Sequence, residues 1–347
     1  MLKHASFVAL LSLVACAGAT STANESASNA DEVKAASVRT VTSSGADAIV
    51  RSADTVFYTD FQNVEVRSVP VAGGASKVLW KGRSQPMDQL GDIAIDDKDL
   101  FFVEDGQIIR IPQDGGHWDI LVRNAKDFPA DIALDDHFVY WTSANIDHAL
   151  IRRVSKEGGA PETIYDGPRG GAGLAVNDGF VYFFGLDRTA PDSDKTQWLM
   201  KVEAKPSGAV TELARIENGA RDITLSGDEV FFANKVGNPA SWGIRAVSKG
   251  GGRVRTVADL GESNDVQPYS LSASGHTLYW SQSMTFDWAQ NPPGQHDAKV
   301  LSIETTGAAT PTEIATKLDG APVLAVAENV CPAWGGRFEI ATVDRCH

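Results

Sequence analysis

The chain has 347 residues, with 45 acidic residues against 31 Lys and Arg, and a net charge of −14 at pH 7. This acidic balance argues against nucleic acid as a partner, because phosphate binding needs a basic surface. A hydrophobic fraction of 43% excludes a disordered chain, and three Cys are too few for a disulfide-based scaffold. The length is that of two average domains or of one large all-β domain.

Residues 1–15 have the pattern of an export signal. A basic start, MLKH, precedes an apolar run from Ala5 to Ala15 that is too short for a membrane-spanning helix, which needs about 20 residues. The run ends in Leu13-Val14-Ala15-Cys16. This ending resembles the lipobox of bacterial lipoproteins. The alternative is an ordinary cleaved signal that contains a Cys by chance.

The lipobox resemblance implies an address and an anchor. It implies that residues 1–15 are removed and that Cys16 is acylated, which would hold the protein to the bacterial cell envelope. Ala17 differs from the Asp that retains such lipoproteins at the inner membrane, so the outer membrane is expected, facing the periplasm or the cell surface. Residues 16–36 are rich in small and polar side chains, which predicts that the lipidated Cys is followed by a flexible tether.

Residues 37–347 repeat one unit and are predicted to form a single domain. In six copies two adjacent aromatic residues lie eight and nine positions after the first apolar residue, as Tyr140-Trp141 follow Ile132. Each copy has the pattern of a hairpin, a third strand, in most copies a Gly-rich turn, and a fourth strand. Four short antiparallel strands in each unit are typical of a β-propeller blade, so the fold class is all-β.

The ends of this domain predict how the ring closes. A seventh copy begins at Leu324, where Pro332-Ala333 replace the aromatic pair and Trp334 follows. This copy supplies only three strands, and the segment 38–44 is similar to the fourth strand at 254–259. We therefore expect the N-terminal strand to complete the C-terminal blade. Seven blades are favoured, and six are the alternative.

Two segments carry a family resemblance. The sequence Val-Tyr-Trp-Thr at 139–142, after Ile-Ala-Leu-Asp-Asp, and the strand and turn at 153–159 resemble the repeats of bacterial TolB-like and YWTD-type propellers. The resemblance covers about residues 38–347 and implies the propeller fold. These families have binding, scaffold and enzymatic members, so the resemblance implies no single activity.

Long connections between the second and third strands predict a binding face. They include residues 186–197, 235–242 and 281–297, and long loops on a rigid scaffold are frequent carriers of recognition. Aromatic residues in them suit a protein, peptide or sugar ligand. Alternatively, the aromatics pack on the rim and order their own loops. The candidate residues for this face are Trp242, Phe286, Trp288, His296 and His148.

Three carboxylates share one position in the repeat. Asp92, Asp131 and Asp222 each precede the first apolar residue of their copy, which predicts a place near the mouth of the central channel. Such carboxylates could bind Ca²⁺ or Mg²⁺, and no other cofactor is expected. The favoured alternative is that they accept backbone N–H groups and brace neighbouring blades, because Gly173 and Ser270 interrupt the set.

The remaining cysteines predict a disulfide between Cys331 and Cys346, since an exported chain meets an oxidising compartment. A tight hairpin at Gly335-Gly336 would place Cys331 opposite Ile340, so the bridge requires a wider turn or a bent tail.

The sequence lacks four motifs that would indicate a particular chemistry: the Asp-x-Asp-x-Asp-Gly calcium loop, His-Glu-x-x-His, Gly-x-Ser-x-Gly and the phosphate-binding P-loop. We expect a membrane-tethered binding module without catalysis. A metal-assisted hydrolase or lyase at the channel mouth and a scaffold subunit of an envelope complex are the alternatives.

Overall fold

The computed structural model describes residues 38–42, 46–83, 90–123, 129–143, 149–167, 172–186, 196–217, 219–237, 241–261, 266–284, 298–306, 309–318, 323–325, 332–335 and 340–343. Within these ranges the secondary structure consists of strands, arranged as seven sheets of four antiparallel strands. The predictions of an all-β propeller and of seven blades are confirmed. The described ranges contain no helix long and apolar enough to cross a membrane.

The strands are numbered β1 to β28 along the chain. Blades 1 and 2 contain β2 (Ala48–Arg51), β3 (Thr55–Asp60), β4 (Glu65–Pro70), β5 (Lys77–Lys81), β6 (Leu90–Ile95), β7 (Asp99–Glu104), β8 (Gln107–Pro112) and β9 (Asp119–Val122). Blades 3 and 4 contain β10 (Pro129–Leu134), β11 (Phe138–Ser143), β12 (Ala149–Ser155), β13 (Glu162–Gly167), β14 (Ala172–Asn177), β15 (Phe180–Leu186), β16 (Thr196–Glu203) and β17 (Val210–Glu217).

Blades 5 and 6 contain β18 (Ala220–Ser226), β19 (Glu229–Val236), β20 (Ser241–Ser248), β21 (Arg255–Asp259), β22 (Val266–Ser274), β23 (Thr277–Met284), β24 (Ala298–Glu304) and β25 (Thr312–Leu318). Blade 7 contains β26 (Val323–Ala325), β27 (Ala333–Gly335), β28 (Ile340–Val343) and β1 (Val38–Thr42). The four strands of each blade are called a to d in this order. The N-terminal strand β1 is therefore strand d of the C-terminal blade, as expected.

Successive a strands contact one another and close a ring around the central channel, because β26 of blade 7 contacts both β22 and β2. The antiparallel order puts the a–b and c–d turns at one end of the propeller, which we call the turn face. The b–c connections and the connections between blades lie at the other end, which we call the loop face.

The core explains why each repeat carries two aromatic residues. Adjacent strand residues point to opposite faces of a sheet, so one aromatic packs toward each neighbouring blade. In blade 5, Phe231 packs in a cluster with Leu271 of blade 6, whereas Phe232 packs with Leu199 of blade 4. All twelve paired aromatics are at most 4% exposed: Phe57, Tyr58, Phe101, Phe102, Tyr140, Trp141, Tyr182, Phe183, Phe231, Phe232, Tyr279 and Trp280.

Blade 7 differs from the sequence-based frame by one residue. Leu324 pairs with Trp334, as Leu271 pairs with Trp280 in blade 6. Trp334 is 1% exposed and packs with Tyr279 of the preceding blade. It therefore takes the position of the second aromatic, and the expectation that Pro332-Ala333 replace the pair is wrong by one residue. The a–b connection of this blade is longer than the frame assumes.

Candidate functional site

The turn face is held together by contacts between blades. Gly158 and Gly159 have φ values of +89° and +124°, which other residues rarely adopt, so this tight c–d turn requires glycine. The Lys156 ammonium beside this turn lies 2.7 Å from a carboxylate oxygen of Asp96 in blade 2. The Arg110 guanidinium of blade 2 in turn donates to the Lys156 carbonyl at 2.8 Å. Two reciprocal contacts thus join these blades.

The same arrangement continues around the turn face. Arg153 of blade 3 donates to the Ala204 carbonyl of blade 4. Lys201 of blade 4 donates to the Lys249 carbonyl of blade 5 at 2.7 Å. The Lys249 ammonium in turn donates a hydrogen bond to the side-chain oxygen of Asn177 in blade 4. The turns of blades 2 to 5 are therefore joined by polar contacts.

A shallow cleft of about 330 Å³ opens on the turn face between blades 3 and 4. Its polar side chains already have partners in the protein. The Tyr140 hydroxyl donates to Asp135 at 2.6 Å, and Lys205 pairs with Glu203 at 2.9 Å. Arg153 pairs with Glu162 at 2.8 Å. Because these side chains are already paired with one another or with neighbouring residues, their contacts favour a structural role for the cleft.

The loop face varies from blade to blade. Its b–c connection comprises residues 105–106 in blade 2 and residues 285–297 in blade 6. In blade 1 the connection is described, and it presents Phe61, which is 47% exposed, while the Phe61 N–H donates to Asp47 at 2.8 Å. Four predicted binding residues lie outside the described residues: His148, Phe286, Trp288 and His296.

Trp242 is the predicted binding residue that the structure describes, and it is 3% exposed. Its indole packs in the cluster between blades 5 and 6 with Ile244 and Trp280. The Arg221 guanidinium carbon lies 5.0 Å from the ring centroid, and the Lys235 ammonium lies 5.2 Å from it. Trp242 is therefore packed into the rim, as the alternative expectation states. Two cations also lie against its ring.

The channel carboxylates connect blades through backbone hydrogen bonds. Asp92 of blade 2 accepts from its neighbour Ile93 at 2.8 Å and from Ile132 of blade 3 at 3.0 Å. Asp222 of blade 5 accepts from Ile223 at 2.8 Å and from Leu271 of blade 6 at 2.7 Å. Each carboxylate uses one oxygen for its own strand and the other for the next blade.

Asp131 and Ser270 extend this set. Asp131 of blade 3 accepts from the Gly173 N–H of blade 4 at 3.0 Å. The Ser270 hydroxyl oxygen accepts from the Leu324 N–H of blade 7 at 3.2 Å. Asp92, Asp131, Asp222 and Ser270 therefore form one class of contact, which we call the channel braces. Gly173 has no side chain and supplies no brace to blade 5.

Burial changes the acidity of the three Asp braces. Burial, supported by the charges of Asp131 and Asp222 and opposed by hydrogen bonds from two backbone N–H groups, raises the pKa of Asp92 to about 7. Burial likewise raises the pKa of Asp222 to about 7 and raises that of Asp131. The carboxylates thus influence one another across the channel.

The contacts of the channel braces favour bracing over metal binding. Ca²⁺ and Mg²⁺ need several oxygen atoms that are free to converge on the ion. Asp92 and Asp222 direct both carboxylate oxygens at backbone N–H groups. Among the residues that the structure describes, no group of three or more His, Cys, Asp or Glu is arranged to hold a metal. The bracing role, predicted as the alternative to metal binding, is the one that these contacts support.

Some site residues were not found from the sequence. The two cations against Trp242 were missed, although Lys235 lies opposite Trp242 in the ladder between β19 and β20. Ser270 was treated as an interruption, yet its hydroxyl makes the same contact as the carboxylates. Cys16, Cys331 and Cys346 lie outside the described residues.

Comparison with known proteins supports the fold. No protein-family model matches the chain, and no curated protein matches it. Solved structures do match it. A streptogramin B lyase is 13% identical over 89% of this chain and 97% of its own, with a TM-score of 0.65. YCF48 bound to D1 peptide is 9% identical over 91% and 96%, with a TM-score of 0.62. A putative TolB from Agrobacterium tumefaciens is 14% identical over 78% and 95%, with a TM-score of 0.51. At these identities the likeness shows that the chain has the β-propeller fold.

Proposed function

We propose that this chain is a lipid-anchored propeller of the bacterial cell envelope that binds a protein or peptide through its loop face. The observation that carries the proposal is the contrast between the two faces. The turn face has short turns that are joined by contacts such as Lys156 to Asp96. The loop face has connections of different lengths on a rigid ring. Recognition is usually carried by variable loops on such a scaffold.

The matched structures are consistent with a protein or peptide as the ligand class. YCF48 was solved with a D1 peptide, and another match, with a TM-score of 0.52, is a nidogen and laminin complex. The streptogramin B lyase likeness raises a catalytic alternative. The channel carboxylates favour binding over catalysis here, because their oxygens are engaged with the backbone.

The anchor is tested by Cys16→Ser in the full chain. A lipid-anchored protein is recovered with membranes, and the Ser variant is released because it cannot be acylated. Mass spectrometry of the mature wild type should find residue 16 at the N-terminus, carrying acyl chains. Release of the wild type from membranes by salt alone would contradict the anchor.

The binding face is tested by photo-crosslinking from two positions in intact cells. Phe61 lies on the loop face and His137 is an exposed residue of an a–b turn on the turn face. Benzoylphenylalanine at position 61 should capture a defined envelope protein, and the same group at position 137 should not. Capture from position 137 alone would refute the assignment of the binding face. A stoichiometric divalent ion in the purified protein would favour the metal-assisted enzyme instead.

A further inference from the structure

Two cations share one aromatic ring at the loop face. The Arg221 guanidinium carbon lies 5.0 Å and the Lys235 ammonium 5.2 Å from the Trp242 ring centroid. Both distances are within the range of about 6 Å in which a cation is attracted to the face of an indole ring. We call Arg221 and Lys235 the cation pair, and Trp242 supplies its ring.

The strand register explains why they meet. Arg221 of β18 lies opposite Ala233 of β19, and Lys235 of β19 lies opposite Trp242 of β20. Because strand residues alternate between faces, Ala233 and Lys235 share one face, and Arg221 and Trp242 lie on it as well. The same face carries Ile244, which packs against blade 6. The strand pairing, and not the conformation of a loop, therefore places both cations beside the ring.

The cation pair lies at the loop-face end of the contact between blades 5 and 6. Arg221 is near the start of strand a, Lys235 is near the end of strand b, and Trp242 is near the start of strand c. Arg221 is exposed, and its guanidinium donates to the Gln267 side chain of blade 6 at 3.3 Å. The strand-a position of Arg221 brings it next to the channel mouth.

These cations differ from three cations of the turn face that form ion pairs with carboxylates. Arg110 lies 2.8 Å from Asp119, Lys156 lies 2.7 Å from Asp96, and Arg255 lies 2.5 Å from Glu229. Among the described residues, neither Arg221 nor Lys235 lies within 4.0 Å of a carboxylate oxygen. In a chain with a net charge of −14, these two cations thus carry positive charge that no carboxylate of the described residues neutralises.

We propose that Arg221 and Lys235, positioned by Trp242, bind a carboxylate-rich segment of a protein partner at the loop face. This inference rests on the proposed binding function and specifies the chemistry of the partner. Guanidinium and ammonium groups form their strongest hydrogen bonds with ionised acceptors. Because the ring holds both groups beforehand, less side-chain entropy is lost when the ligand binds. The acidic remainder of the protein would repel the same segment elsewhere, which restricts it to this place.

The test measures binding of fluorescein-labelled hexaglutamate by fluorescence anisotropy, with hexaglutamine as the neutral control. The wild-type protein should bind hexaglutamate more tightly than hexaglutamine, and the difference should shrink in concentrated NaCl because salt screens exposed charges. The double variant Arg221→Gln/Lys235→Gln should bind hexaglutamate about tenfold more weakly, as expected for the loss of two exposed ion pairs.

A matched variant separates the site from net charge. Lys98 and Arg253 are exposed residues of turns on the opposite face, so Lys98→Gln/Arg253→Gln removes the same charge from the turn face. This variant should bind hexaglutamate as the wild type does. Equal losses in the two double variants, or equal affinities for the two peptides, would overturn the proposal. Trp242→Leu keeps both charges and should also weaken binding, provided that its circular dichroism matches the wild type.

Failure of this inference can be told apart from failure of the proposed function. If photo-crosslinking at position 61 captures the same protein with and without Arg221→Gln/Lys235→Gln, and pull-down affinity is equal, the binding function stands and the acidic specificity is overturned. If no position on the loop face captures a protein while hexaglutamate binding depends on the cation pair, the proposed protein-binding function fails and the anion-binding site stands.

Discussion

The Asp222 carboxylate of blade 5 accepts a hydrogen bond from the Leu271 N–H of blade 6 at 2.7 Å. Its other oxygen accepts from Ile223 at 2.8 Å, so one side chain fixes its own strand and the next blade. Asp222 also has a φ of +48°, a conformation that Asp and Asn tolerate better than most residues. This residue is therefore the clearest example of a channel brace.

Replacing this brace should destabilise the ring. Asp222→Ala leaves two backbone N–H groups without an acceptor, and we expect the free energy of unfolding to fall by about 2–4 kcal/mol. Asp222→Asn keeps one side-chain acceptor and the φ tolerance, so its loss should be smaller. Urea denaturation measures both, and Asp97→Ala in an exposed turn is the control, expected to change stability by no more than about 0.5 kcal/mol. Equal stability of Asp222→Ala and Asp97→Ala would contradict the bracing role.

The raised pKa values predict an unusual pH dependence. The pKa of Asp222 is about 7 in the folded protein, against an ordinary value of 3.8, so the folded state binds the proton more tightly than the unfolded state. The contribution of the protonated Asp222 carboxyl to stability is therefore complete below pH 3.8 and is lost as the pH rises toward 7. Between these values the unfolding free energy should fall relative to Asp222→Asn by at most about 1.4 kcal/mol per pH unit.

The measurement is the difference in unfolding free energy between wild type and Asp222→Asn at several pH values. Because both proteins share all other titrating groups, the difference isolates this carboxyl. Asp92→Asn should behave in the same way, since its pKa is also raised to about 7. Parallel stability curves for wild type and variants would show that the carboxyl titrates at its ordinary pKa.

The turn-face contact between Lys156 and Asp96 should contribute to stability. The Lys156 side chain is 11% exposed, so Lys156→Met is expected to lower the unfolding free energy by about 1–3 kcal/mol. Burial alone would raise the pKa of Asp96, but the hydrogen bond from Lys156 holds it below its ordinary value. The Met variant should therefore also raise the Asp96 pKa in an NMR titration. Lys98→Met, in an exposed position of the same turn, is the control.

The predicted disulfide between Cys331 and Cys346 can be tested in the mature protein. Gly335 lies opposite Ile340, so the tight hairpin that argued against the bridge is absent from the ladder. We expect reduction to increase the mass by two hydrogens and to permit alkylation of both Cys. Alkylation of both residues in the unreduced, denatured protein would refute the bridge.

The fold was largely predictable from local pattern, because the spacing of Ile93 to Phe102 reproduces an observed pair in the ladder. The position of Trp334 was missed by one residue, because the length of the connection between two strands leaves no periodic signal. Trp242 was expected at a binding surface, yet its burial depends on the neighbouring blade and not on its own strand. The pairing of Arg221 with Trp242 required the register of three strands, which a single sequence does not specify.

The most direct test of binding through the loop face is hydrogen–deuterium exchange of the full chain with the protein that is captured at position 61. We predict slower exchange at the loop-face strand ends, in residues 219–223, 233–237 and 241–243. Exchange in the turn-face segments 113–118, 156–161 and 203–208 should be unchanged. Protection that appears in the turn-face segments and not at the loop-face strand ends would contradict binding through the loop face.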